Sequence, residues 1–259
     1  YLLLAANPDS VIIHLGMSGS LLRWPVPRTI RARLVGRNVA SVGRRAKYLL
    51  LAANPDSVII HLGMSGSLRV VTDDRPALKH DHLEIAFANG ARLRFSDPRR
   101  FGSVHLARNP ERHWLLEHLG PEPLSEAFNG DYLYSIGRRR SAPVKHFLMD
   151  SRVVAGVGNI YACEALHAAG IHPLRSAGRV SRQRYQRLTD AVKAVLLMAI
   201  EAGGTTLRDF VNVDGEPGYF AIQLTVYGRT GEPCGHCSTP IRRITQGQRG
   251  TWYCPKCQR

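Results

Sequence analysis

The chain has 259 residues, 44% of them hydrophobic, enough for two domains with proper cores. It carries 35 Lys+Arg against 20 Asp+Glu, a formal net charge of +15. This excess disfavours a basic partner and favours a polyanion, because every phosphate neutralised by a cationic side chain releases condensed counterions. A soluble basic protein with no polyanionic partner, or one drawn to anionic lipid, fits the charge less well. No run approaches the roughly 18 apolar residues of a membrane-spanning helix. The opening Tyr1-Leu-Leu-Leu-Ala-Ala6 has no basic flank and does not read as a signal peptide.

The chain starts with an anomaly. Residues 1–21 repeat residues 48–68 letter for letter. Structural repeats diverge and come in three or more copies, since each needs neighbours to bury its face. Two identical copies, in a chain beginning with Tyr, read instead as an aberrant or truncated start, with a real, recent duplication as the alternative. The second copy follows Arg44-Arg-Ala-Lys47 and leads into further strand-like sequence, so it is taken as the native one. The first copy is expected to be unstructured or to pair on an exposed sheet edge.

Residues 30–107 read as β structure. Val58-Ile-Ile60 is an apolar run; Leu83, Ile85 and Phe87 alternate with Glu84 and Ala86, and Leu93 and Phe95 with Arg92 and Arg94. Asn89-Gly90 between the last two runs predicts a hairpin. An antiparallel sandwich over 22–110 follows. From 111 the period turns helical. A short helix is expected to carry Trp114, Leu115 and Leu119 on one face, and Gly120-Pro-Glu-Pro123 to form a turn or linker. Helices follow over 143–149 and 159–169, the second stopped by Gly170. Ser181 caps a long helix through Glu201 with Leu188, Ala191, Val192, Val195 and Leu196 inward, ended by Gly203-Gly204. Thr205 or Thr206 caps a further short helix. This helical region, 111–223, gives way at 224 to strands and turns around cysteines.

Four of the five cysteines form Cys234-Gly-His-Cys237 and Cys254-Pro-Lys-Cys257, separated by 16 residues. Each knuckle sets two thiolates on one edge of a tetrahedron, so Cys234, Cys237, Cys254 and Cys257 read as a closed, structural zinc site in a ribbon over 224–259. Two disulfides would need an oxidising compartment that nothing else supports, and a reducing, cytoplasmic setting is inferred. His236, inside the first knuckle, could compete as a ligand, but four cysteines already close the site. Cys163 reads as a buried small residue rather than a nucleophile. Arg242, Arg243 and Arg249 fall on the hairpin between the knuckles, suited either to solvent or to phosphate.

Several ordered stretches then resemble the formamidopyrimidine-DNA glycosylase family: Leu22-Arg-Trp-Pro-Val26, Arg44-Arg-Ala-Lys-Tyr-Leu-Leu-Leu51, His61-Leu-Gly-Met-Ser-Gly-Ser-Leu68, Lys79-His-Asp-His82, Asp97-Pro-Arg-Arg-Phe-Gly102, Leu119-Gly-Pro-Glu-Pro-Leu124, Val157-Gly-Asn-Ile-Tyr-Ala162, Gly203-Gly-Thr-Thr-Leu207, Asp214-Gly-Glu-Pro-Gly-Tyr-Phe220 and the zinc ribbon. The resemblance covers 22–259. It implies an α+β multidomain fold with an N-terminal antiparallel β-sandwich, a helix–two-turns–helix domain and a C-terminal zinc ribbon, with DNA in the cleft. It implies excision of oxidised purines (8-oxoguanine and formamidopyrimidines) by base flipping, an imine intermediate and β,δ-elimination, in a monomer that acts on damaged or abasic double-stranded DNA in a bacterial cytoplasm. Met64, Arg99 and Phe101 then fill the hole left by the flipped nucleotide. Read without the family, Met64 and Phe101 would be core residues. His80, Arg99, Arg140 and Asn159 match backbone-binding positions; Asn159 could otherwise be a plain helix cap. Lys47 matches the lysine assigned to proton transfer, and Arg249 the residue assigned to δ-elimination. The segment 214–220 resembles the loop that closes over the base.

The family's nucleophile is an N-terminal proline followed by glutamate. Here the copied strand stands in their place: Tyr1 offers a primary amine and Leu2 no proton. The resemblance therefore leaves two readings, an active glycosylase/lyase whose true start differs, and a non-catalytic binder of lesions or abasic sites. A sister enzyme of the endonuclease VIII branch, acting on oxidised pyrimidines, fits Met64, Arg99 and Phe101 less well.

Overall fold

The computed structural model describes residues 11–14, 22, 24–72, 76–202 and 224–259. They fall into two compact units, one ending at Glu117 and the other beginning at His118.

The first unit holds two four-stranded antiparallel sheets. One has β2 (Ser41–Arg45), β3 (Tyr48–Ala53), β4 (Asp56–His61) and β8 (Ser103–Ala107) in the order β2-β3-β4-β8. The other has β1 (Val11–His14), β6 (Asp81–Phe87), β7 (Arg92–Ser96) and β5 (Ser67–Val71) in the order β1-β6-β7-β5. The alternation in sequence becomes alternation in space: Leu83, Ile85, Leu93 and Phe95 are buried and pair across the β6–β7 ladder. They share a core with Leu51, Val58, Ile60, Leu68 and Val104. Each such aliphatic side chain removed from water contributes about 1.5–3 kcal/mol, the main driving force for closing the sandwich. Asn89-Gly90 turns the β6–β7 hairpin: Gly90 takes φ +86°, and the Asn89 side chain accepts from the Ala91 N–H.

The duplicated segment resolves in an instructive way. Val58–His61 lies within β4, flanked by β3 and β8. The same tetrapeptide at Val11–His14 pairs instead with the β6 edge, Val11 opposite Phe87 and His14 opposite Glu84. Identical local propensity thus serves two pairings, and tertiary context chooses between them.

Two expectations fail here. Residues 30–34 are not strand but α1 (Ile30–Leu34), because Ile30 and Leu34, four apart, both reach the core while Arg31 and Arg33 stay outside. Arg33 then forks onto the buried carboxylate of Asp56. The helix expected around Trp114 is absent as well. A 3₁₀ turn over Pro110–Arg112 runs into turns in which Leu116 and Glu117 both donate to the His113 carbonyl. The segment is too short to carry helix nucleation. Trp114 instead leans on Trp24 and His105, with ring centroids 5.5 and 6.0 Å apart.

The second unit contains α2 (Gly130–Gly137), α3 (Val144–Met149), α4 (Asn159–Ala168) and α5 (Arg182–Glu201), then the hairpin β9 (Arg242–Gln246) and β10 (Arg249–Tyr253). As expected, Ser181 Oγ accepts from Arg184 N at the start of α5, and Leu188, Val192 and Val195 face the core. Gly170 closes α4 at φ +68°, with the Ile171 N–H returning to the Leu166 carbonyl. Helix α2 escaped the sequence reading. Its signal was Asn129, whose side chain accepts from Tyr132 N. The expectations for Gly203 to Phe220, and Met17 in the first copy, lie outside the described residues.

Candidate functional site

In the first unit, four sequence-predicted residues gather around one buried carboxylate. Asp97 has no exposed surface. It accepts hydrogen bonds from Ser65 Oγ at 2.8 Å, from the Gly102 N–H at 2.7 Å and from the Arg99 N–H at 3.3 Å. These bonds fold 97–102 into a loop in which Arg100 takes φ +61°, and they tie it to the 62–66 turn. Glycine is required where the two segments touch. A Cβ on Gly63 would stand 2.6 Å from Gly102 N and 2.7 Å from the Phe101 carbonyl carbon, at φ +69°. A Cβ on Gly102 would press 2.6 Å from the ring of Phe95, which fills the core.

This scaffold pushes large side chains into solvent. Met64 is 57% and Phe101 44% exposed, and the Arg99 guanidinium lies 5.4 Å from the centre of the Phe101 ring. The core reading of Met64 and Phe101 is thereby overturned. His80 is joined to the same loop, its carbonyl accepting from Asp97 N at 3.0 Å. Its Nδ1 is buried and finds no partner among the described residues. Lys47 is exposed in the β2–β3 turn, where Ala46 takes φ +52°. Its charge reaches His61, whose pKa is lowered first by burial and then by that lysine. His61 Nδ1 in turn accepts from Gly63 N at 3.1 Å. Lys47, Met64, Arg99, Phe101 and His80 therefore form one connected set. The Asp97 motif stands out in the sequence, but the organising part of its carboxylate does not. A buried acid between two glycine-bearing turns was the available signal.

In the second unit Asn159 does not cap α4; Gly158 holds the cap position without a side-chain bond. The Asn159 amide bridges instead, accepting from Lys145 Nζ at 2.6 Å and donating to the Gly250 carbonyl at 3.0 Å. Lys145, passed over in the sequence, is 1% exposed and also donates to Thr251 Oγ1 at 2.5 Å. Burial lowers its pKa, with the Arg249 charge adding to the effect and Cys163 opposing it. This knot fastens the β9–β10 turn to the start of α4. Gly247 and Gln248 take φ +55° and +61° there, and Arg249 stands exposed beside it. The first-turn N–H groups of α4, next to Asn159, have no side-chain cap. Arg140 is exposed just beyond α2, its carbonyl held by Ser176 Oγ and Gly178 N.

The four knuckle cysteines converge, with all sulfurs within 4.8 Å of one another. Individual separations are 3.4 Å for Cys237–Cys254 and Cys237–Cys257, and 3.9 Å for Cys234–Cys257. Tetrahedral zinc with Zn–S bonds near 2.3 Å needs sulfurs roughly 3.8 Å apart, so the set fits one structural zinc with no open position. Hydrogen bonds from Thr239 pull the Cys237 thiol down, while burial pushes those of Cys254 and Cys257 up, so metal binding would displace their protons. His236 is exposed and stays outside this group. Cys163 is buried, packed with Val226, Ile241, Cys234 and Cys254, so the finger is seated on α4. Glu164 completes the seat by accepting from the N–H groups of Thr225, Val226 and Tyr227.

Comparison with known proteins agrees with this anatomy. Residues 21–104 match the formamidopyrimidine-DNA glycosylase N-terminal domain, 119–211 the formamidopyrimidine-DNA glycosylase H2TH domain, and 231–259 a zinc finger found in FPG and IleRS. Similar proteins include the formamidopyrimidine-DNA glycosylase of Marinobacter nauticus, 57% identical over 92% of this chain and 88% of its own length. That of Syntrophotalea carbinolica is 55% identical over 97% and 93%. Among solved structures, Lactococcus lactis Fpg in complex with abasic-site DNA superposes with a TM-score of 0.87 at 32% identity, covering 98% of this chain and 93% of that one. Thermus thermophilus MutM (Fpg) gives 0.83 at 37% identity, covering 97% and 92%. No helix among the described residues is long and apolar enough to cross a membrane. With identity above half over nearly its whole length, the chain belongs to the formamidopyrimidine-DNA glycosylase family.

Proposed function

We propose that this protein is a base-excision-repair DNA glycosylase and AP lyase acting on oxidised purines in duplex DNA. The observation that carries the reading is the solvent-facing Met64, Arg99 and Phe101 on two turns tied together by a buried carboxylate. Exposing a flat ring and a thioether on a rigid turn costs hydration free energy with no return inside the free protein. It makes sense as a wedge for a duplex from which one nucleotide has been extruded. Unstacking costs a few kcal/mol, and the inserted side chains offset it while the arginine pairs with the orphaned base.

The remaining residues have supporting roles in this reading. Asn159, with the uncapped N–H groups of α4, holds a backbone phosphate, and Arg140 and His80 hold others. Lys47 moves protons at the sugar, and Arg249 assists the second elimination from the finger hairpin. The zinc supplies folding free energy to a small module and takes no part in the reaction. The attacking amine is the family's N-terminal proline. An α-amino group has a pKa near 7.7–8.0 and is partly neutral at pH 7. It adds to C1′ and expels the base, leaving an imine that acidifies C2′ for β- and then δ-elimination. The setting for such a protein is the bacterial cytoplasm.

Residues 1–21 repeat 48–68 and contain no Pro-Glu pair, and this favours a second reading for a polypeptide without an N-terminal proline amine: lesion binding without efficient excision. Borohydride trapping on 8-oxoguanine duplex separates the two. A polypeptide starting Pro-Glu, with the family's opening in place of residues 1–21, is expected to form the covalent adduct, and the 259-residue polypeptide to form little. Equal trapping by both would sink the role given to the terminal proline. No trapping by either would sink the enzyme reading.

A further inference from the structure

A second cationic feature lies beyond the C-terminal end of α4, about 15 Å of helix from Asn159. A cavity of about 490 Å³ is lined by His172, Leu174, Arg175, Ser176, Arg179 and Arg259. The lining carries three guanidinium groups and no carboxylate side chain. Among the described residues, neither Arg175 nor Arg179 has an acidic partner. The Arg175 Nε is buried and has no hydrogen-bond acceptor among the described residues. A buried donor left without an acceptor is costly, and fixed like charges repel.

The loop bearing these arginines is nonetheless firmly held. Val144 N donates to the Arg175 carbonyl at 2.7 Å, Ala177 N to Ala142 at 2.9 Å and Arg179 N to Ser176 at 2.9 Å. The Leu174 N–H donates to His172 Nδ1 at 3.2 Å, fixing that ring, which also packs edge-on to Tyr253 at 4.7 Å. The fourth nearby arginine, Arg184, is already committed to the carbonyls of Gly170 and Arg259. The Arg175 Nη1 makes only a long bond, 3.5 Å, to the Arg179 carbonyl. A preformed loop that crowds guanidinium groups without acidic partners around a cavity suits an anion whose oxygens match their planar forks.

We propose that this cavity binds a phosphate group through Arg175 and Arg179. The phosphate belongs either to a DNA backbone running past the end of α4 or to a small phosphorylated molecule. The site is separate from the phosphate position beside Asn159, and it stands whether or not the protein excises bases.

The test uses the zinc-loaded protein and inorganic pyrophosphate as probe, read by NMR at the arginine Nε–H groups and the 172–179 amides at constant ionic strength. The expected result is a saturable shift in the low-millimolar range, absent with chloride and abolished by Arg179→Ala, an exposed position. Arg175→Lys, which keeps charge but loses the fork, should weaken the response about tenfold. The duplex arm compares salt dependence. If backbone phosphate is the ligand, Arg179→Ala lowers the log–log slope by about 0.9. If a small molecule is, the slope is unchanged while the pyrophosphate response is lost. A wild-type protein showing no saturable response at Arg175 and Arg179, or an unaltered response in Arg179→Ala with the amide spectrum otherwise intact, overturns the proposal.

Discussion

Replacing Asp97 by alanine removes the acceptor on which the exposed loop depends. The carboxylate takes three hydrogen bonds, from Ser65 Oγ, Gly102 N and Arg99 N, at 2.8, 2.7 and 3.3 Å. The Arg99 contact is long and counts little. The other two are charge-assisted, each of the order of 1.5–3 kcal/mol, and the Gly102 N–H is left buried with no acceptor. Water entering the opened loop returns part of this, so a net loss of about 2–4 kcal/mol is expected, concentrated in 97–102. Because opening is local, the reading is hydrogen exchange of the 97–104 peptide rather than a global melt. At about 2.8 kcal/mol the protection of Gly102 falls roughly a hundredfold. Strand β4 should keep its protection, and abasic-site affinity should fall at least about tenfold as Met64, Arg99 and Phe101 lose their fixed relation. Unchanged exchange at Gly102 would refute the claim that Asp97 holds the loop. Lost protection with unchanged affinity would refute the claim that the loop must be rigid to bind.

Three further outcomes follow from the geometry. Lys145→Met leaves Asn159 Oδ1 and Thr251 Oγ1 short of a buried donor, so stability of the second unit should drop by about 2–4 kcal/mol, read by urea unfolding, with weaker DNA binding. Chelating the zinc should unfold the β9–β10 hairpin, seen as loss of amide protection over 234–258, and abolish tight DNA binding while β2–β8 persist. Acidification should destabilise the first unit. Burial depresses the pKa of His61 and of His105 below the usual 6.5, Lys47 adding to it at His61 against Asp97, and His113 and His61 adding to it at His105. The unfolded chain then binds more protons than the folded one as pH falls through 6.5, so stability is full above 6.5 and declines below it until the folded pKa is passed. Thermal unfolding from pH 8 to 5 checks the slope, which His105→Gln should flatten.

Much of this was legible in the residues. The β6–β7 hairpin announced itself by alternation and Asn89-Gly90, α5 by Ser181 and its apolar stripe, and the metal site by cysteine spacing. What escaped was set by tertiary contact. Ile30–Leu34 is too short for periodicity to distinguish helix from strand, and Trp114 found an aromatic neighbour 90 residues away in sequence, Trp24, rather than a helical face. Lys145 was passed over, because a buried lysine is recognisable only once its acceptors on α4 and β10 are in place. Met64 and Phe101 show the reverse. Their apolar chemistry suggested a core, and only the glycine-tight turns of 62–66 and 97–102 explain why they face water.

The central claim is that Met64, Arg99 and Phe101 recognise a duplex at a gap in its stack. Fluorescence anisotropy of zinc-loaded protein on abasic-site and intact duplexes of equal length, at one fixed salt concentration, addresses it directly. The expected result is a preference of at least about tenfold for the abasic duplex, erased in the Met64→Ala/Phe101→Ala variant while affinity for intact DNA holds. Equal affinity for the two duplexes, or a preference that survives the double substitution, would contradict it.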